Sequence, residues 1–319
     1  MKTTIQILVM GLIVVAFYGM TSVHSMAAEQ KTIYINFGTA GMGGPSYILG
    51  AGWAKIVSDN VPWLKATAVP GGGAFDNMKK VLRGELLTAT VPADSAYNMY
   101  HGLGLYKEKM PIRAMFEYAP AHVYLCTRAE SKIKSYEDLK GHRVGMGAPG
   151  SGLAGTTTTI MESMGLQPDR DYKAIWYGYQ DVVNGLKDKT IDAGFLYGGH
   201  PNPAVMELAT SIAIRIIPAP KELPEKFKYM VPVVIKTGSY KGINEDVPIV
   251  SIDILVCTAE QANEKIVYTV TKTLMEHYEE VRKLHSSAKE FGLGTALRGV
   301  AIPLHRGAEK YYKEVGLIK

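Results

Sequence analysis

The chain has 319 residues, 47% of them hydrophobic, and a formal net charge of +5. Its basic residues are interspersed with acidic ones rather than gathered in runs, so composition points to neither a nucleic-acid groove nor a polybasic membrane patch. Two cysteines are too few for a disulfide scaffold in so long a chain.

The N-terminus reads as a secretory signal peptide over residues 1–27. Lys2 precedes an apolar stretch from Ile5 to Tyr18, and Ser25-Met26-Ala27 offers small residues for cleavage. The apolar stretch falls short of the roughly 20 residues that a spanning helix needs. Lys31 to Phe37 then alternates as a strand and runs into Gly38-Thr39-Ala40-Gly41-Met42-Gly43-Gly44, after which Ser46 to Ser58 has helical spacing. Strand Leu64–Val69, helix Ala74–Arg83 and strand Leu87–Val91 follow, an alternation that predicts an open, mostly parallel α/β sheet. Asp94, just beyond, reads as a cap for the next helix.

The rhythm restarts near Cys126. Ser135 to Asp138 has the form of a helix start and Lys140-Gly141 its stop. Strand Arg143–Met146 leads into a second glycine loop, Gly145 to Gly152, and a helix over Thr156–Met164. Strand Ala174–Tyr177, helix Gln180–Leu186, strand Ile191–Tyr197, helix Ala204–Ala209 and strand Ile212–Ile217 complete this part. Pro218 to Pro232 reads as surface turns with a short helix, and Pro248 to Cys257 as one long extended run. Helices over Asn263–His277, Tyr278–Leu284 and His305–Val315 end the chain. No low-complexity linker intervenes, so two domains would be joined by ordered crossings. Cys126 and Cys257 lie in short apolar runs, as buried free thiols do; export leaves a disulfide as the alternative.

Chemistry is sparse. Gly145 to Gly150 matches the dinucleotide pattern, but Asp169 and Asp171 precede the next strand instead of closing it, where the ribose would need an acid. There is no Gly-x-Ser-x-Gly, no Cys-x-x-Cys and no His-x-x-x-His, so no catalytic residues, metal or cofactor are expected. His200 reads as a solvated loop residue. What remains is a binding kit: helix starts with unpaired N–H groups, glycines that let a ligand approach, and hydroxyl-tipped side chains. Ser95, Ser151 and the tyrosines that follow strand ends or glycine turns, Tyr47, Tyr97, Tyr177 and Tyr197, suit a small organic ligand.

In order along the chain, Thr39 to Gly50, Asp94-Ser95-Ala96-Tyr97, Gly147 to Gly152, Ile191 to Phe195, Pro201 to Val205 and Ile302 to Tyr312 resemble the TAXI branch of the TRAP transporter solute-binding proteins. The resemblance implies a two-lobed, type II-like α/β periplasmic binding-protein fold with the ligand in the interdomain cleft. Lobe 1 would comprise residues 28–122 and 248–319 and lobe 2 residues 123–247, with crossing strands near Tyr118–Cys126 and Ile249–Cys257. It further implies a non-enzymatic periplasmic receptor that hands its substrate to TRAP membrane permease subunits. The ligand set would be Gly41, Gly43, Gly44, Tyr47, Ser95 and Tyr97 on one side, and Gly150, Ser151, Gly152, Leu153, Tyr177 and Tyr197 on the other. Leu153-Ala154 stands where many relatives carry Thr-Glu, which removes a partner for a ligand ammonium. The expected ligand is therefore a small anionic dicarboxylate, with 2-oxoglutarate the leading example. Glutamate or glutamine capture is the alternative, as is a soluble partner of a signalling receptor.

Overall fold

The computed structural model describes residues 31–42, 45–104, 106–149 and 151–319, so the expected leader, Gly43, Gly44 and Gly150 lie outside the described residues. Two mixed sheets form two lobes. In the first, β1 (Ile33–Thr39), β2 (Leu64–Pro70) and β3 (Thr88–Pro92) run parallel, β12 (Ile254–Ala259) pairs antiparallel with β3, and β4 (Ile112–Ala119) pairs antiparallel with β12, in the order β2-β1-β3-β12-β4. The second has the order β10 (Met230–Ile235), β11 (Val247–Ile252), β5 (His122–Arg128), β8 (Ala193–Gly198), β6 (Arg143–Gly145), β7 (Lys173–Ile175), and β9 (Ile214–Ile217) pairs with β5. The mostly parallel sheet expected is interrupted in lobe 1 by one reversed strand, β12, and each lobe has a core of three mutually parallel strands with antiparallel pairs beside it.

Helices α1 (Pro45–Asn60), α2 (Ala74–Leu82) and α3 (Ala93–His101) follow β1, β2 and β3. In lobe 2, α4 (Gly152–Ser163), α5 (Tyr179–Lys187) and α6 (Pro203–Ser211) follow β6, β7 and β8, and the short α7 (Glu222–Lys226) precedes β10. Helices α8 (Glu264–Glu276), α9 (Tyr278–Leu284) and α10 (Arg306–Glu314) return to lobe 1. There Trp53, Phe116, Tyr311 and Tyr312 fill one apolar cluster. A cluster in lobe 2 joins Tyr124 and Cys126 to Val182, Leu186 and Leu208. The largest runs through both lobes, from Met78 and Val91 to Val123, Val144 and Phe195.

The chain changes lobes twice, side by side. Pro120-Ala121 separates β4 from β5, and Asp253 alone separates β11 from β12. Ile252 N–H donates to Ala121 O at 2.9 Å, tying the crossings together. The single extended run expected over Pro248–Cys257 is therefore two strands in different sheets. Sheet membership also carries β11 into lobe 2, past the expected boundary at 248, because its partners are β10 and β5. Strand β10, which begins inside the stretch expected to form turns, tolerates Pro232 because it lies at a sheet edge. The expected helix at Ser135–Asp138 is only the single 3₁₀ turn Glu137–Leu139.

Cys126 and Cys257 are both buried and free, one in each sheet, and burial pushes each thiol up to about 12.

Candidate functional site

The carboxyl end of β3 in lobe 1 meets the loop after β6 in lobe 2, where Pro92 and Gly152 are neighbours; the crevice outside such strand ends is where open α/β sheets bind ligands. On the lobe 1 side, the loop after β1 is pinned by Asn77, whose amide donates to Thr39 O at 2.8 Å. Ser46, in the first turn of α1, shares its hydroxyl with Tyr118 at 2.5 Å and donates to Thr90 at 3.3 Å. Burial pushes the Tyr118 hydroxyl up to about 12, so it stays a proton donor across physiological pH. Sequence reading missed Ser46, Thr90 and Tyr118 because their hydroxyls come from three separate elements.

On the lobe 2 side, Ser151 caps α4, its Oγ accepting from Ala154 N–H at 3.1 Å. That uses acceptor capacity and leaves the hydroxyl proton for another partner. Gly147 has φ 103°, and a Cβ there would come within 2.9 Å of Ala154 N, so only glycine lets the loop fold onto the helix start. Thr157 Oγ1 donates to Met146 O at 2.7 Å and braces the same turn.

Among the described residues, three contacts between the lobes involve the end of β3 and α3. A Cβ on Gly152 would lie 3.6 Å from Pro92. The rings of Tyr97 and Tyr229 are 5.3 Å apart. Asp94 on α3 bonds the Thr156 hydroxyl on α4. Asp94 is thus not the cap it was expected to be: Pro92 holds the cap position, and Asp94 is buried with its Oδ1 accepting from Ser95 N–H at 2.6 Å. Burial raises its pKa, and among the described residues it has no ion-pair partner. Its charge is felt by Tyr106, Tyr197 and Tyr229, whose hydroxyls are pushed up chiefly by burial.

Of the expected ligand set, Ser95 and Tyr97 lie on α3, and Ser151 and Gly152 at the start of α4 lie across from Pro92. Tyr47 is half-buried in the first turn of α1, and Gly41 is exposed, with nothing within 4 Å of an added Cβ. Tyr197 donates to Ile252 O at 2.8 Å beside the crossing, and Tyr177 packs against the lobe 2 cluster. The side chain of Leu153 is buried in the shared core against Gly147, because the first turn of α4 folds back on the loop. His200, expected on a solvated face, is exposed but also bonds Tyr240 at 3.2 Å. An open depression of about 650 Å³, lined by residues that include Lys265, Tyr268, Arg306 and Lys310, lies on the outside of lobe 1 and not in the crevice.

A family profile described as the NMT1-like family matches residues 37–316, which takes in both lobes and both crossings. The chain belongs to the NMT1-like family. Among solved structures, this NMT1-like chain is similar to a TctC solute-binding protein from Polaromonas, with TM-score 0.56 and 14% identity over 91% of this chain and 100% of that one. It is also similar to the periplasmic aliphatic sulphonate-binding protein SsuA from Escherichia coli, with TM-score 0.53 and 14% identity over 88% and 82% of the two chains. XAC2383 from Xanthomonas citri, solved bound to ATP, gives TM-score 0.56 and 11% identity over 89% and 96%. At these identities the likeness establishes the fold: a two-lobed α/β binding-protein architecture of type II, as expected from the sequence.

Proposed function

We propose that this chain is an extracytoplasmic solute-binding receptor, exported to the periplasm, of the TAXI type of TRAP transporter. It captures a small carboxylate between its lobes and delivers it to membrane permease subunits without covalent chemistry. The observation that carries the reading is a helix start in each lobe, those of α1 and α4, with Ser46 and Ser151 at their first turns, the second lying beside Pro92 of the other lobe. Each start offers unpaired N–H groups and a dipole that favours an anion by about 0.3–1 kcal/mol at an exposed site. Both would strengthen as lobe closure removes water. Two of the similar structures, a TctC solute-binding protein and a periplasmic aliphatic sulphonate-binding protein, support the receptor class.

A dicarboxylate, with 2-oxoglutarate first, fits one anion-receptive helix start in each lobe. One observation favours the second reading, glutamate or glutamine: buried Asp94 has no ion-pair partner among the described residues and would attract a ligand ammonium. Calorimetry against 2-oxoglutarate, succinate, malate, glutamate and glutamine separates the two. Tight binding of an amine-free diacid supports the first, and glutamate binding far more tightly than every amine-free acid overturns it. No binding of any of these, together with an unrelated compound released on denaturation and identified by mass spectrometry, would discard both.

A further inference from the structure

Both crossings between the lobes run past one buried charge cluster. Glu117 lies on β4 just before the first crossing, and Asp253 constitutes the second. Arg298, from the segment between α9 and α10, donates Nε to Asp253 Oδ2 at 2.6 Å, Nη1 to Glu290 Oε2 at 2.7 Å and Nη2 to Glu117 Oε1 at 3.4 Å. The other Asp253 oxygen accepts from the Ser251 hydroxyl on β11 at 2.5 Å, and its main-chain carbonyl accepts from Ala93 N–H at 2.9 Å. One aspartate is therefore gripped from lobe 1 by Arg298 and Ala93 and from lobe 2 by Ser251. The residue after Arg298, Gly299, has φ 67° and lies against Asp253 and against Tyr229 and Val231 of lobe 2.

Three carboxylates share this one guanidinium, and two of them are fully enclosed: Glu117 is 1% exposed and Asp253 0%. Two buried like charges on one cation are costly, so one of the pair keeps its proton. The shorter contact to Arg298 and the Ser251 bond make Asp253 the ionised member and Glu117 the neutral one. Among the described residues, the other groups facing Glu117 supply no second cation. Tyr118 and Tyr312 feel its charge, their hydroxyls raised chiefly by burial, and Thr295 offers a hydroxyl. His122, at the head of β5, is pushed down to about 4 by burial and by the positive charge of His200 and Arg298, so it stays neutral near pH 7. Burial, then repulsion from Asp253, pushes Glu117 up to about 8 against the opposing pull of Arg298.

We propose that Glu117 is a proton-operated stop on the interlobe hinge: when neutral it leaves Arg298 to Asp253 and holds both crossings, and when ionised it draws Arg298 away and frees the crossing at Asp253. This goes beyond solute capture and does not depend on which ligand is bound.

The test is an interlobe distance in the ligand-free mature protein. Nitroxide labels placed at Leu103→Cys in lobe 1 and Met206→Cys in lobe 2, both exposed, avoid the buried native thiols. The expected result is a longer and broader distance population that grows with pH, with a midpoint near the value of about 8 given by Glu117. In Glu117→Gln the distribution is expected to stay at its low-pH form throughout. An unchanged wild-type distribution overturns the proposal, as does a shift that survives in Glu117→Gln. Should Glu117→Gln fail to fold, the wild-type midpoint decides: one near the ordinary histidine value of about 6.5 assigns the change elsewhere and overturns the proposal.

Discussion

Asp192 shows how one side chain holds a lobe. Its carboxylate accepts from the Arg143 main-chain N–H at 2.9 Å, from Nε at 3.0 Å and from Nη2 at 2.8 Å. Those side-chain bonds to Arg143, against some opposing burial, hold its pKa down at about 2. A depressed carboxylate pKa means stability that is present above the ordinary value near 4 and lost as pH falls toward 2. Asp192→Asn should cost about 1–3 kcal/mol at pH 7 and flatten the acid limb of stability, read by urea unfolding at pH 7 and pH 3. Glu117 has the opposite sign. Its raised pKa means the folded state holds a proton that the unfolded chain has lost, so its contribution is full below about 4.5 and is lost as pH rises through about 8. Glu117→Gln should therefore flatten the alkaline decline of stability between those values, measured by thermal melts across the range. At this scale the sequence displayed Ser95 and Ser151 but gave Asp94 the wrong partner. Thr156 is 62 positions away, and no local spacing announces it.

Among the elements, α4 separates stability from binding. Removing the cap in Ser151→Ala should cost about 1 kcal/mol and, on the proposed reading, also weaken solute binding in calorimetry, because the cap leaves the hydroxyl proton for another partner. Asn263, which caps α8 with its Oδ1 accepting from Ile266 N–H at 3.1 Å, lies on the outer side of lobe 1. Asn263→Ala should cost a similar amount and leave binding unchanged; equal losses of binding in both variants would count against a crevice role for Ser151. Most helices were legible because amphipathic spacing and caps are local properties. Strand β10 was not, since Pro232 argues against a strand until the sheet shows that it lies at an edge. Asp253 likewise interrupts an apolar run by a single residue, and only sheet pairing reveals that the strands on either side belong to different lobes.

For the whole molecule, Cys126 and Cys257 pack in separate sheets, so neither restrains the hinge by a bridge. Native protein should resist a thiol reagent, and two thiols should react after denaturation whether or not reductant was present; mass spectrometry of the labelled chain checks this. A solute that binds only the folded, closed form should raise stability by about 2.7 kcal/mol at a hundredfold excess over Kd, seen as a rise of several degrees in Tm. The sequence by itself determined the strand–loop–helix alternation, the glycine loops and the ordered fragments that pointed to a two-lobed receptor, because these depend on neighbours a few positions apart. Only the tertiary structure decided that Gly152 at the start of α4 meets Pro92 of the other lobe, that Asp94 reaches Thr156, and that Glu117 meets Arg298 across 181 positions. Such contacts are fixed by how sheets stack and where the chain crosses between them, and that geometry leaves no periodicity in the sequence to read.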